Sequence, residues 1–339
     1  MAVASANHRF TTLDGLRGLA ALVVVVSHLG NEGYLPGILG QGFGMTGVGL
    51  FFVLSGFLMS HLYFRKEFSR DAVQNYAAAR LSRVLPLFYL VLLVSTALIP
   101  IVGVSMFNVF SVQDFFSNFF LVYGTWILWS VPVEIQYYVL FLFLWAAGPG
   151  KFHLPALAVL IVLQVVVALA IYEGPGEMKK LPFWLHYFLL GHGIAIITPW
   201  LLKVQPGKWW TIAAWAVVFM LIFLPPGVRR AFDLPVVPVA ADPLAIFLPT
   251  LMVVFGLVGA GPFKLKPTPW LLWLGRISFS TYLLHWPILV ATPWVLGSWN
   301  DVPGLGAAFV LGMTAIVATL SNVYFEEPVR VVLRRRMET

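Results

Sequence analysis

The chain has 339 residues, of which 60% are hydrophobic and only 10% are charged, and its mean hydropathy is +0.89. A soluble domain carries about 25% charged residues, so this chain has too few charges to cover a water-facing surface. Cysteine is absent, which excludes disulfides, thiolate metal sites and a cysteine nucleophile. The net charge of +7 does not indicate nucleic acid, because membrane proteins concentrate basic residues in cytoplasmic loops.

Apolar runs of about 20 residues, the length that crosses a bilayer core as a helix, recur along the chain. Glycine, proline and charged residues separate them, which predicts an all-α, polytopic integral membrane protein with a single transmembrane domain over residues 1–339 in the lipid bilayer. The ten predicted spans lie near 14–30, 43–63, 84–104, 131–148, 154–172, 183–202, 209–225, 243–261, 275–297 and 304–325. Polar residues interrupt the apolar segment 105–130, where we expect a re-entrant or interfacial loop.

Ten spans put both termini on the same side of the membrane. If that side is the cytoplasm, only four of the 21 lysines and arginines fall outside: Lys179, Lys180, Arg229 and Arg230. Because basic loops stay in the cytoplasm, the sequence predicts a multi-pass protein of the plasma (inner) membrane with both termini cytoplasmic.

The first predicted helix carries three ionisable residues, Asp14, Arg17 and His28. Each costs roughly 2.5–3.5 kcal/mol to insert, so each is a functional candidate. Arg17 and His28 are eleven residues apart, which places them within about 20° of each other around the helix and about 16 Å apart along it. An elongated ligand can lie along this face. An interfacial Asp14–Arg17 pair and a packing role for His28 are the alternatives.

The fourth predicted helix runs from outside to inside, which puts Glu134 about one turn below the outer boundary, at the depth of His28. A carboxylate that holds an imidazole in one tautomer makes a general base, so His28 and Glu134 are the predicted catalytic residues. Tyr138 lies one turn further and is expected to complete the polar site. A capping role in a first helical turn is the alternative for Glu134.

Further polar residues lie at other depths. His285 and Ser55 are predicted near the midplane, where function and core packing are both open for His285. On the cytoplasmic side, Arg80 and Arg83 share a helix face and form either a phosphate-binding patch or a topology anchor.

Six strings spread in order over almost the whole chain carry these residues. They are LDGLRGLAALVVVVSHL at 13–29, GVGLFFVLSGFLMS at 47–60, RLSRVLPLFYL at 80–90, WILWSVPVEIQYYVL at 126–140, LGRISFSTYLLHWPI at 274–288 and YFEEPVR at 324–330. Together they resemble the membrane acyltransferase 3 family. The resemblance implies an O-acyltransferase that takes the acyl group of a cytoplasmic acyl-CoA, with acetyl-CoA the expected donor, and uses no metal. The implied acceptor is a hydroxyl of a carbohydrate, glycolipid or glycosylated metabolite at the outer face.

The resemblance also implies residue roles. It matches the family's essential histidine to His28, its first-helix arginine to Arg17, its arginine pair to Arg80 and Arg83, and its Trp-Ser…Glu element to Trp129, Ser130 and Glu134. Coenzyme A phosphates are then expected on the three arginines, and the substrates are expected to contact Asp14, Ser55, Trp129, Tyr138 and His285. The chain departs from the family in reading Val-Pro-Val at 131–133, and we expect it to lack the C-terminal extracellular hydrolase-like domain of many members.

Two other function classes stay open at this point. A transporter of acyl groups or lipid-linked sugars would use the same buried polar residues as a substrate path. The sequence has no inverted repeat of the kind that marks many transporters, which disfavours this class. A non-catalytic membrane assembly protein would not need Arg17 and His28 on one helix face. For an enzyme, direct transfer is the expected route, and an acyl-His28 or acyl-Ser55 intermediate is the alternative.

Overall fold

The computed structural model describes residues 10–171 and 179–338. Within these two ranges the chain forms fourteen α-helices and no strand, which confirms the all-α prediction. In chain order they are α1 Thr11–Asn31, α2 Gly44–Tyr63, α3 Arg70–Val102, α4 Val112–Phe119, α5 Ser130–Ala147, α6 His153–Ile171, α7 Leu185–Leu201, α8 Lys208–Met220, α9 Pro226–Ala231, α10 Pro243–Val258, α11 Pro269–Arg276, α12 Ser278–Leu296, α13 Pro303–Ser321 and α14 Glu327–Glu338.

Among the described residues, six helical stretches are long and apolar enough to cross a membrane. They are Thr11–Asn31, Gly37–Tyr63, Arg70–Ile101, Trp126–Ala147, His153–Ile171 and Gly304–Arg335. Three shorter apolar stretches, Leu185–Leu201, Lys208–Phe223 and Pro243–Val258, match three more predicted spans. The chain is therefore a polytopic membrane protein, and the count of ten spans stays a prediction.

Helix α3 begins fourteen residues before the predicted span 84–104. The Ser69 side chain caps it by accepting a hydrogen bond from the Ala72 amide, and Gly103 ends it with a left-handed φ of 72°. Arg80 and Arg83 consequently lie well inside a long helix rather than at its start. Arg80 is only 8% exposed.

The segment predicted as a re-entrant or interfacial loop, 105–130, contains α4 and a 3₁₀ turn at Trp126–Trp129. A capping box between Ser111 and Asp114 starts α4. The 3₁₀ turn is inserted into the helix bundle, because Ile127 and Leu128 are at most 4% exposed. Helix α5 therefore begins inside the protein.

Helix α2 lies at the centre of the bundle and packs closely against α1 and α7. Two glycines make the α2–α7 contact close: a methyl group on Gly56 or Gly191 would collide with the backbone of the facing helix. Such small residues let membrane helices approach each other without a large side chain between them. Helix α6, in contrast, buries only Leu160 and exposes apolar side chains such as Val162 and Leu169, which suits a lipid-facing surface.

Two helix junctions shape the end of the bundle that holds the arginines. Helices α11 and α12 are separated by a break at Ile277 within the predicted span 275–297. Helix α13 runs through a π-helical turn, Asn322–Glu326, into α14. Such turns are rare and are often found at functional sites.

Candidate active site

Three arginines and one carboxylate meet in a cavity of about 60 Å³ between α1, α2, α3, α5 and α12, here called the arginine cavity. Its charged and polar lining includes Arg17, Ser55, Arg80, Arg83, Glu134 and Tyr138. With Ser130, which also lines the cavity, the structure thus brings together seven of the residues that the sequence singled out, from four different helices.

Glu134 organises the polar groups of the arginine cavity. Its Oε1 accepts hydrogen bonds from the Ser55 hydroxyl at 2.5 Å and the Tyr138 hydroxyl at 2.7 Å. Three guanidinium groups around this one carboxylate leave an excess of positive charge. The Nε atoms of Arg17 and Arg80 are buried without a hydrogen-bond partner among the described residues. Buried cations require compensation, so the cavity is suited to an anionic ligand.

His28 lines a second cavity of about 100 Å³, here called the histidine cavity, together with Asn31, Trp126, Trp129 and Lys179. Its ring packs among aromatic side chains: the ring centroids of Trp286 and His285 lie 5.0 Å and 5.2 Å away. None of the described residues that line this cavity is acidic.

The imidazole of His285 has a defined tautomer. Its Nδ1 lies 3.1 Å from the Thr281 carbonyl oxygen, to which it can only donate, so Nε2 of the neutral ring is the acceptor. That Nε2 and the Nδ1 of His28 are both buried without a hydrogen-bond partner among the described residues. Two adjacent imidazoles with unsatisfied nitrogens make a site that can accept and hand on a proton.

The depth argument predicts that His28 and Glu134 lie together. The structure instead places them in different cavities. Glu134 bonds to Ser55 and Tyr138 and lines the arginine cavity, whereas His28 lines the histidine cavity. The reason is the inserted turn at Trp126–Trp129. Because α5 starts inside the bundle, the interfacial start from which the depth of Glu134 was counted does not hold. The neighbouring imidazole of His28 is His285.

A third cavity of about 400 Å³, here called the α14 cavity, lies between α1, α3, α11 and α14 and is lined in part by Asp14, Arg276 and Arg330. It shares Arg17 and Arg83 with the arginine cavity. The arginine cavity in turn shares Val48 and Tyr282 with the histidine cavity. The three cavities therefore follow one another in the order α14, arginine, histidine, along the face of α1 that carries Arg17 and His28.

The remaining predicted site residues lie at the edges of this series. Trp129 lines the histidine cavity and packs edge-on against Phe52, with ring centroids 5.9 Å apart. Asp14 lines the α14 cavity, and its backbone carbonyl is in close contact with Gly275. Within the described ranges, no group of three or more histidine, aspartate or glutamate side chains is placed to hold a metal ion.

Sequence reasoning missed Lys179, which it treated only as an outer-loop residue. Its Nζ lies 5.5 Å from the Trp126 ring centroid in the histidine cavity. Burial lowers the pKa of the Lys179 ammonium. A lysine in a loop carries no helical register, so no sequence signal connected it to His28.

The sequence analysis also missed Tyr282, although it lines both the arginine cavity and the histidine cavity. Its hydroxyl donates to the Ile127 carbonyl at 2.6 Å and accepts from the Ser130 hydroxyl at 2.9 Å. The STY sequence at 280–282, within the string 274–288, was the available signal.

His192 is a buried histidine of α7 with two polar contacts. Its Nδ1 lies 2.7 Å from the Ser60 hydroxyl and its Nε2 lies 2.9 Å from Nε2 of His153. This chain of hydrogen bonds runs between α2, α7 and α6, outside the residues that line the three cavities.

The fold and these cavities define a multi-pass membrane protein in which a cationic cavity adjoins a cavity that holds His28. A sequence profile described as an acyltransferase domain matches residues 10–322. The chain belongs to this family, the acyltransferase 3 family.

Three curated relatives resemble the chain over 94% of its length. The O-acetyltransferase OatA of Staphylococcus aureus is 25% identical, and the peptidoglycan O-acetyltransferase OatA of Listeria monocytogenes is 26% identical. The putative membrane-bound transacylase BcsY of Komagataeibacter xylinus is 27% identical. The alignments cover 57%, 55% and 83% of these relatives, so the chain spans just over half the length of the two O-acetyltransferases. No solved structure matches the chain.

Proposed function

We propose that the protein moves an acyl group, acetyl in the first instance, from cytoplasmic acyl-CoA to a carbohydrate hydroxyl at the outer face of the inner membrane. The observation that carries the proposal is the excess of positive charge in the arginine cavity, which adjoins the cavity of His28 at Val48 and Tyr282. Two relatives are named O-acetyltransferases, one of them for peptidoglycan, which supports an acetyl group and a glycan acceptor.

Arg17, Arg80 and Arg83 would hold the donor's diphosphate. Guanidinium groups are suited to phosphate because they offer paired donors in a fixed plane. Arg17 and His28 lie about 16 Å apart along α1, a distance that an extended pantetheine arm can cover. The arm would pass Tyr282, and the thioester would lie beside His28.

The chemical step is a proton-coupled acyl transfer. The acceptor hydroxyl attacks the thioester carbonyl carbon while His28 takes its proton, which forms the ester bond and a tetrahedral intermediate. The carbon–sulfur bond then breaks, and the thiolate leaves with the proton that the His28 imidazolium returns. The ring of His285, whose centroid lies 5.2 Å from that of His28, would hold the His28 imidazole in position by packing against it. His285 is thus a positioning residue in this proposal.

Glu134 has a different proposed role from the one that its sequence position suggested. Its hydrogen bonds to Ser55 and Tyr138 and its location among the three arginines support a role in compensating their charge and fixing their positions. Trp129 and Trp126 would offer flat apolar surfaces to a sugar ring in the histidine cavity.

The test compares cells that produce the intact protein with cells that produce His28→Ala. The acetate that mild base releases from purified cell-envelope carbohydrate should be present in the first case and absent in the second. Inside-out membrane vesicles should release free coenzyme A from acetyl-CoA supplied at the cytoplasmic face. Movement of intact substrate across the membrane without thioester cleavage would instead establish the transporter.

A further inference from the structure

We propose that the α14 cavity holds the adenosine 3′-phosphate end of coenzyme A, with Arg276 and Arg330 as its phosphate ligands. This inference rests on the proposed function, because it assigns a place to one part of that donor. The sequence analysis assigned neither arginine to the site.

The first argument is shape. The three cavities have volumes of about 400, 60 and 100 Å³ in order from the α14 cavity to the histidine cavity. Coenzyme A has one wide end, the nucleotide, and one slim arm that carries the thioester. If the thioester lies at His28, only the α14 cavity has room for the nucleotide. Arg17 and Arg83, which line both the α14 and arginine cavities, lie where the diphosphate would join the two parts.

The second argument is charge. Four arginines from α1, α3, α11 and α14 line the α14 cavity, together with three acidic residues. Glu326 accepts from the hydroxyls of Ser280 and Ser321, and Glu327 pairs with Arg330.

Arg276 is exposed at the cavity, and its side chain forms no hydrogen bond or ion pair with the residues that the structure describes. Arg330 is partly exposed beside Glu327, so both guanidinium groups are accessible to a phosphate that enters from the surface. A phosphate that pairs with both would gain two charge-assisted contacts.

The third argument is the π-helical turn. Asn322 and Glu326, at its two ends, both line the α14 cavity. An asparagine amide has a hydrogen-bond donor next to an acceptor. It can therefore pair with an adenine edge, which has an acceptor ring nitrogen next to a donor amino group. The widened turn thus directs a base-recognising group and an arginine-bearing helix toward the same space.

The test is calorimetric titration of the purified, detergent-solubilised protein with coenzyme A and with 3′-dephospho-coenzyme A. The unmodified protein should bind coenzyme A at least about ten-fold more tightly, which corresponds to one charge-assisted contact. Arg276→Gln or Arg330→Gln should reduce this preference, and the double variant should abolish it. Binding of the dephosphorylated ligand should stay unchanged, which also shows that the variants are folded.

Two further variants make the test specific. Glu327→Gln removes the partner of Arg330 and should tighten coenzyme A binding several-fold. Lys264→Gln changes an exposed basic residue of a turn outside the three cavities and should change neither affinity. If the double variant keeps the full preference for the 3′-phosphate, the assignment of the nucleotide to the α14 cavity is wrong, but coenzyme A remains the proposed donor. If the unmodified protein binds neither ligand, both the proposed donor and this assignment are wrong.

Discussion

The arginine cavity and the histidine cavity differ in almost every physical property, although Val48 and Tyr282 line both. The arginine cavity concentrates charge: three guanidinium groups, one carboxylate and the hydroxyls that bind it. The histidine cavity is lined by aromatic, aliphatic and small polar residues, with one lysine and no described acid. The comparison supports a division of the proposed function, in which the arginine cavity binds the anionic donor and the histidine cavity supplies the base.

This division has a physical basis. A general base must lie next to the hydroxyl that it deprotonates, and Glu134 is instead bound to Ser55 and Tyr138 among the arginines. Phosphate binding, in contrast, benefits from permanent positive charge. If the two functions are separable, substitutions in one cavity should change turnover and those in the other should change donor affinity.

The largest effect is expected for His28→Ala. Loss of the general base should lower turnover by about a hundred- to ten-thousand-fold, while coenzyme A affinity changes little. Transfer of radiolabelled acetate in membrane vesicles, together with calorimetry, measures both quantities. The matched control is His61→Ala, an exposed histidine of α2 that lines none of the three cavities. A large loss of donor binding in His28→Ala would contradict the division.

Glu134→Gln should act mainly on stability. Removing the carboxylate leaves the buried arginines with less compensating charge, for which we expect a cost on the order of 3 kcal/mol, as for a broken buried ion pair. An added anion can replace the lost charge, so coenzyme A should raise the melting temperature more in the variant than in the unmodified protein. Thermal unfolding in detergent with and without ligand measures this difference.

Tyr138→Phe and Ser55→Ala are the controls for Glu134→Gln, because each removes one hydrogen bond to the carboxylate and keeps its charge. Both should show the ordinary ligand-induced stabilisation. If Glu134→Gln instead unfolds no more easily than these controls, the carboxylate does not compensate the arginines. Ser55→Ala also tests the acyl-serine route, since it should retain transfer if the step is direct.

Arg83→Gln should raise the dissociation constant of the donor by about ten- to a hundred-fold. This corresponds to the loss of one charge-assisted phosphate contact of roughly 1.5–3 kcal/mol. At saturating donor, turnover should stay close to that of the unmodified protein. Kinetics over a range of acetyl-CoA concentrations separates the two parameters. A fall in turnover that saturation does not restore would move Arg83 into the chemical step.

The sequence predicts features that lie within one helix better than contacts between distant segments. Hydropathy located the helices to within a few residues in most cases, because membrane spans leave long apolar runs. The eleven-residue spacing of Arg17 and His28 fixed their common face of α1, because a single helix determines its own geometry. The recognised strings supplied Arg80, Arg83 and Glu134 as site residues.

The features that the sequence did not predict all depend on how separate segments pack together. The depth of Glu134 depends on a turn that enters the bundle, and no local pattern at 126–129 distinguishes an inserted turn from an interfacial one. The contact of His28 with His285 joins α1 to α12, which are more than two hundred residues apart in sequence. Lys179 reaches the cavity from a loop, where residue spacing predicts no direction.

The smallest predicted effect concerns that lysine. Lys179 is the one cation in the described lining of the histidine cavity, beside the side chain assigned as the base. Its charge would favour an anionic or strongly polar acceptor, so Lys179→Met should raise the apparent acceptor KM a few-fold and leave coenzyme A binding unchanged. Lys180→Met, a change of the neighbouring basic residue that is absent from this lining, is the matched control.

The pH dependence of Lys179 variants gives the sharper measurement. Burial lowers the pKa of Lys179, so its ammonium loses its proton at a lower pH than an ordinary lysine, and acceptor binding should weaken as pH rises through that value. Arginine keeps its proton throughout this range. Lys179→Arg should therefore preserve acceptor binding at alkaline pH where the unmodified protein loses it. Acetate transfer in membrane vesicles, measured from neutral to alkaline pH, tests this. Superimposable profiles for the two proteins would mean that the Lys179 charge does not contact the acceptor, and that the histidine cavity recognises it through aromatic and hydrogen-bonding groups alone.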